Sequence, residues 1–250
     1  MRRPSPVLLA GAAGAAVVAH LAPGAVAWRT ARCRLLPVLS GVGDAGHVAL
    51  TFDDGPDPAV TPLVLDALDR LGWRATFFVL GSQVRRAPGL LDELVARGHE
   101  LGVHGDAHTS HLRRAAPWVV DDLRRARDLI EGRTGRPLRW FRPPYGALAA
   151  SSLVAARVAG VQPVLWTTWG RDWRPDATAQ TTADDVLATW WPGATVLLHD
   201  SDVTSAPGSW RNALGALPLI AERIGEVAVG PLGEHGLPVG RWVRSGAAAG

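Results

Sequence analysis

From residue 48 to residue 229, short apolar runs alternate with stretches whose apolar residues recur every three or four positions. No other feature constrains the fold as much. The runs at 48–52, 75–80, 100–103, 139–141, 161–169, 195–198 and 227–229 read as strands buried on both faces. Between them, 60–71, the stretches opened by Pro88 and Pro117, and 148–159, 183–190 and 210–224 carry helical spacing, several closed by glycine. Strand–helix alternation of this kind makes a parallel sheet with helices outside it. About seven such units in roughly 200 residues suit a (β/α) barrel better than an open sheet. In a barrel every parallel strand delivers its C-terminal end to one face, and polar residues after strands are candidates for chemistry there.

Composition is consistent with one large domain. Of the 250 residues, 47% are apolar, enough for a sizeable core, and 28 Gly and 19 Pro suit many short connections. The net charge is only +3, every basic residue being Arg, and the arginines are dispersed. Short clusters such as Arg124-Arg125-Ala126-Arg127 read as a solvated helix face, which argues against a nucleic-acid partner. The sole cysteine, Cys33, excludes an intrachain disulfide.

The N-terminus differs from the rest. Arg2 and Arg3 precede an apolar, Ala- and Gly-rich stretch at 7–28, and Arg29, Arg32 and Arg34 follow it. A basic start and an apolar run of near-spanning length read as a signal peptide or an N-terminal membrane anchor over 1–34. A linker at 35–46, a catalytic domain at 47–236 and a tail at 237–250 complete the expected organisation. An extracytoplasmic location follows, secreted or anchored to the cell membrane by that segment.

At the end of the first strand Asp53 and Asp54 stand side by side before Gly55-Pro56. Two carboxylates there are costly unless something neutralises or uses them. A solvated turn stays open on this stretch alone. His104 and His108 form an i, i+4 pair that can meet one cation on a helical turn or compact loop. His111 is an alternative partner. Two histidines and one carboxylate suit catalytic Zn²⁺ with an open position, and a bound cation lowers the pKa of water to roughly 7. The other carboxylate is then available as a general base.

Five stretches now fall into one order: Thr51-Phe-Asp-Asp-Gly55, His104-x-x-x-His108, Arg142-Pro-Pro-Tyr145, Asp172-Trp173 and Leu197-Leu-His199. Together they resemble the motifs of the polysaccharide deacetylases, carbohydrate esterase family 4 with the NodB homology domain. The resemblance implies a distorted (β/α) barrel of about seven parallel strands that removes N- or O-acetyl groups from glycans with a divalent metal. Zn²⁺ is the foremost cofactor, with Co²⁺, Ni²⁺ and Mn²⁺ as alternatives. The implied metal ligands are Asp54, His104 and His108. Asp53 is implied as the catalytic base, held ionised and oriented by Arg142. His199 is implied as the general acid, oriented by Asp172. The Tyr145 backbone N–H would bind the oxyanion, and Trp173, Leu197 and Pro143 would line the substrate pocket. One position departs from the motif: Gly105 stands where Ser or Thr usually follows the first histidine, and Asp106 or Thr109 are candidates to brace the loop instead.

Some of the 11 Trp residues, Trp166, Trp169 and Trp173 among them, are candidates for a sugar-stacking wall, and the polar loop 200–210 is expected to shape the mouth of the site. The expected function is metal-dependent deacetylation of a cell-envelope or extracellular glycan, such as peptidoglycan or a chitin oligosaccharide, by a monomer. The alternatives are a deformylase or amidohydrolase acting on a lipid-linked sugar or a small cyclic amide, and an inactive glycan-binding barrel.

Overall fold

The computed structural model describes residue 15 and residues 17–239. Residues 1–14 and 16 of the expected signal or anchor segment, and 240–250 of the expected tail, lie outside the described residues. Among the described residues no helix is long and apolar enough to cross a membrane.

Among the described residues there are eight parallel strands: β1 (His47–Asp53), β2 (Thr76–Val79), β3 (Glu100–Val103), β4 (Trp140–Phe141), β5 (Gln162–Pro163), β6 (Thr168–Trp169), β7 (Thr195–His199) and β8 (Ala228–Gly230). They run in the order β5-β4-β3-β2-β1-β7-β6, with β8 beside the first half of β1. The apolar run at 161–169, expected as one strand, is split into β5 and β6. Its first half pairs with β4 and its second with β7, so this one segment joins the two edges of the sheet. Counted as one strand, it makes seven, and the sheet curls into a distorted (β/α) barrel. The ladder breaks at the crossing because the segment must leave one neighbour to reach the other. There Leu165 N–H donates to the carbonyl of Leu39 at 2.8 Å instead of to a strand.

Leu39 belongs to a helical segment at the N-terminal side, α1 (Arg29–Leu35) and α2 (Pro37–Ser40). Residues 35–46, expected as a linker, thus include a helix hydrogen-bonded to the barrel. Arg32 of α1 is buried and donates to the Trp166 carbonyl and to Ser40 Oγ.

The other helices are α3 (Thr61–Leu71), α4 (Gly81–Arg86), α5 (Gly89–Ala96), α6 (Ala116–Thr134), α7 (Ala150–Ala159), α8 (Ala179–Leu187) and α9 (Trp210–Ile224). α8 begins four residues before the apolar pattern does, because Thr178 caps it by accepting from the Thr181 N–H. Along β1 successive side chains alternate between the two faces. Val48, Leu50 and Phe52 join the core under the helices, while Ala49 joins Phe78, Trp140 and Val164 in the smaller cluster within the barrel. The alternation that sends Ala49 inward also sends Thr51 and Asp53 inward, and Asp53 is the last of them, at the C-terminal mouth.

Candidate active site

Three residues other than glycine have positive φ among the described residues, and each belongs to one of the five stretches or directly precedes it: Asp54 (78°), Tyr145 (61°) and Arg171 (50°). Such conformations are costly and persist where the surroundings impose them, commonly at functional sites. Asp and Asn tolerate this region better than other side chains. At Asp54 the turn allows two consecutive carboxylates to take different surroundings.

Asp53 faces Arg142. The guanidinium donates from Nη1 to Asp53 Oδ1 at 2.7 Å and to Thr51 Oγ1 at 2.8 Å, and from Nη2 to the Leu165 carbonyl at 2.9 Å. It lies 4.1 Å over the Phe78 ring and is wholly buried. Its donors and its stacking leave it no other orientation, so Asp53 receives a fixed positive partner. Burial pulls the Arg142 pKa down, and the Asp53 charge opposes that pull.

Asp54 faces the histidines. Nε2 of His104 and Nε2 of His108 each lie 3.3 Å from Asp54 Oδ1. The other oxygen, Oδ2, accepts from the Thr204 hydroxyl. Oδ1 is buried with no hydrogen-bond donor. Burial pushes the Asp54 carboxyl up, but the close imidazoles of His104, His199 and His108 outweigh it, leaving Asp54 well below the usual carboxylate range. His108 is pushed down to about 4, by burial first and then by His104.

These residues fit a cation. The ligand atoms of Asp54, His104 and His108 lie within 4.8 Å of one another. His104 Nδ1 is 2.8 Å from the Arg142 carbonyl, which can only accept, so Nδ1 carries a proton and in the neutral ring Nε2 is the nitrogen whose lone pair faces Asp54. An orphaned buried carboxylate oxygen facing two imidazole nitrogens is the donor set a divalent ion takes.

Across the cavity His199 Nδ1 lies 3.0 and 3.2 Å from the two oxygens of Asp172. The His199 backbone N–H also donates to Asp172 Oδ2, at 2.9 Å. With Nδ1 committed, Nε2 is left as the nitrogen for substrate. Burial lowers the His199 pKa, but Asp172, Asp54 and Asp53 more than reverse this and push it up to about 10.

All these groups meet at a cavity of about 220 Å³ lined by Asp53, Asp54, His104, His108, Tyr145, Trp166, Trp169, Trp173, Leu197, His199, Thr204 and Ser205, among others. Arg142 and Asp172 stand buried behind Asp53 and His199. Pro143, expected on the wall, is buried and does not line the cavity. Its carbonyl accepts the Gly146 N–H in a tight turn that brings Tyr145 to the wall instead. His111 is buried beside Ser152 and Phe141, away from the ligand set. Asp106 pairs with Arg85 and Arg125 rather than pointing to the triad.

Asp122 escaped the sequence reading, and Asp200, Thr204 and Ser205 were foreseen only as members of the loop at the mouth. Thr204 and Ser205 come from the 200–210 loop, which does form part of the mouth. Asp200, fully buried, accepts from Thr61 Oγ1 at 2.6 Å and packs on Gly55, where a Cβ would meet its Oδ2 at 2.1 Å. Burial, first of all, pushes its carboxyl up to about 7. Asp122 of α6 accepts from the backbone N–H groups of Asp106 and Ala107. The sequence signal for Asp122 was available: it falls within the apolar face of Val119, Leu123 and Ala126, where a carboxylate needs a reason.

Known proteins resemble this chain in sequence and fold. The family model described as Polysaccharide deacetylase matches residues 40–164, a span that ends before Asp172 and His199. The peptidoglycan-N-acetylglucosamine deacetylase PgdA of Listeria monocytogenes is 38% identical over 160 residues, 64% of this chain and 34% of its own length. The chain thus spans about a third of that relative. The chitooligosaccharide deacetylase of a Bradyrhizobium species is 39% identical over 187 residues, 73% of this chain and 83% of its own. The structure of the peptidoglycan deacetylase PdaC from Bacillus subtilis superposes with a TM-score of 0.63 at 32% identity, covering 73% of this chain and 86% of that one.

Proposed function

From the premise that this chain belongs to the polysaccharide deacetylase family, we propose that it is a hydrolase that removes N-acetyl groups from a cell-envelope glycan, peptidoglycan or a chitin-type oligosaccharide. The observation that carries this reading is the convergence on one cavity of two differently partnered carboxylates and a third, carboxylate-bound histidine. Amide hydrolysis asks for a base, a stabilised oxyanion and a proton for the leaving nitrogen.

Asp54, His104 and His108 would hold a divalent cation, Zn²⁺ foremost. Bound there, such an ion supplies Lewis-acid polarisation of the acetyl carbonyl and draws the pKa of water toward about 7. Asp53, oriented by Arg142, takes the proton of the attacking water as its oxygen bonds to the carbonyl carbon. The Tyr145 N–H accommodates the oxygen that gains negative charge. His199, held by Asp172, delivers a proton to the amide nitrogen as the C–N bond breaks, so acetate and a free amine leave. Trp173 and Leu197 enclose the methyl end of the acetyl group. Opposed surroundings for Asp53 and His199 let a base and an acid act at the same pH.

The domain assignment is part of the proposal: a catalytic domain over 47–236, preceded by an export or anchor segment within 1–34. The glycans named for the relatives support action outside the cytoplasmic membrane. The test is acetate release from N-acetylated chitin oligomers and from peptidoglycan by the zinc-loaded protein. Zinc bound with no acetate from either substrate would sink the substrate assignment.

A further inference from the structure

The loop that carries His104 and His108 lacks the hydroxyl its motif leads one to expect, because Gly105 occupies that position. Its backbone is nonetheless held from both sides. On one side the carbonyls of Gly105 and Asp106 accept from the N–H groups of Gly81 and Ser82 at the start of α4, each at 3.0 Å. On the other, both oxygens of Asp122 are used. Oδ2 accepts from the Asp106 N–H at 2.9 Å and Oδ1 from the Ala107 N–H at 3.1 Å. Consecutive N–H groups turned to one side form an anion-binding concavity, and here a protein carboxylate fills it. Asp122 is wholly buried and Arg125 approaches its Oδ1 at 3.6 Å.

Gly105 and Asp122 are matched. Gly105 has φ +103°, a conformation L side chains rarely adopt, and a Cβ there would sit 2.9 Å from Asp122 Oδ2. The carboxylate occupies the space beside the backbone that a side chain at 105 would enter. A brace from α6 and a side chain at 105 therefore exclude each other in this arrangement.

We infer that Asp122 is a positioning residue for the cation site: it sets the 104–108 backbone so that the two Nε2 atoms converge on Asp54 Oδ1. The inference rests on the reading of Asp54, His104 and His108 as a cation site. Asp122 touches none of the three. It acts through the two N–H groups between the histidines, and without it the loop stays tied only at its carbonyls and through the Asp106 side chain's pairs with Arg85 and Arg125.

The test is Zn²⁺ affinity by competition against a chelating dye, with thermal unfolding of the metal-free protein measured on the same samples. Asp122→Ala removes both acceptors, and Zn²⁺ affinity is expected to fall about 10- to 100-fold, the range for partners that orient ligands from behind. Asp122→Asn keeps the shape and one acceptor but sets its NH2 against the other N–H, so a smaller loss of Zn²⁺ affinity is expected, with the metal-free unfolding temperature lowered less than in Asp122→Ala; it decides the matter if Asp122→Ala does not fold. Unchanged Zn²⁺ affinity in Asp122→Asn, with a lowered unfolding temperature, would reduce Asp122 to a structural residue and overturn the inference. A wild-type protein that binds no Zn²⁺ would overturn the cation reading and this inference with it. Zn²⁺ binding in the wild type that is equal in the variants would overturn this inference alone.

Discussion

Replacing Asp172 by Asn removes a charge and keeps a hydrogen-bond acceptor of the same shape. The carboxylate lies 3.0 and 3.2 Å from His199 Nδ1, and it is the first of the groups that push His199 up to about 10. Both charges are delocalised, so their centres are roughly 5 Å apart, and at an effective dielectric of ~20 the attraction is about 3.3 kcal/mol. At 1.36 kcal/mol per unit this is about 2.4 pKa units. A cation in the triad offsets the charge of Asp53 and Asp54, lowering the absolute value in wild type and variant alike, while the gap set by Asp172 remains. A raised histidine is protonated below its pKa, and a proton donor fails as pH rises through that value. The alkaline limb of kcat should therefore move down by two to three units in Asp172→Asn. One unit below the wild-type limb about 90% of wild-type His199 is protonated against about 4% in the variant, a loss of about 24-fold. Well below both limbs the variant should recover to within a few-fold. The assay is kcat for acetate release across pH 6 to 10. An equal loss at every pH, with the limb unmoved, would refute the electrostatic role of Asp172.

Three further outcomes are expected. Arg142→Leu leaves Asp53 as a buried charge without its partner and should cost about 3–5 kcal/mol, read as a lower unfolding temperature, together with loss of acetate release. Thr204→Val removes the donor to Asp54 Oδ2 and should weaken Zn²⁺ binding several-fold, about 1 kcal/mol, and lower the unfolding temperature of the metal-free protein by less than Arg142→Leu does. Gly55→Ala drives a Cβ to 2.1 Å from Asp200 Oδ2 and should cost about 1–3 kcal/mol in thermal unfolding.

Much of the barrel was legible because strands buried on both faces read as unbroken apolar runs. The seven runs correspond to β1, β2, β3, β4, the 162–169 crossing, β7 and β8. The break within 162–169 was not legible, since it arises from which neighbour each half must meet, a tertiary fact. Helix α4 was missed because Gly81-Ser-Gln-Val-Arg-Arg86 is too short to show a period. At the site, the residues that touch one another through long-range pairing were recognisable as motifs: Asp53 with Arg142, Asp54 with the histidines, Asp172 with His199. The contact of Thr204 with Asp54 was invisible because it depends on loop turns such as the Gly208 N–H donating to Asp202 Oδ2. Gly105 was flagged as a gap, but candidates for filling it were sought within the loop. The brace comes from α6, 16 residues on from Asp106.

In the proposed mechanism two adjacent carboxylates have separate tasks, Asp54 for the cation and Asp53 for the proton. The most direct measurement is acetate release by Asp53→Asn, with its bound Zn²⁺ quantified on the same sample. A full complement of Zn²⁺ is expected, with a rate at least ~100-fold below wild type, as for loss of a general base. Loss of the Zn²⁺, or near wild-type acetate release with the Zn²⁺ retained, would contradict it.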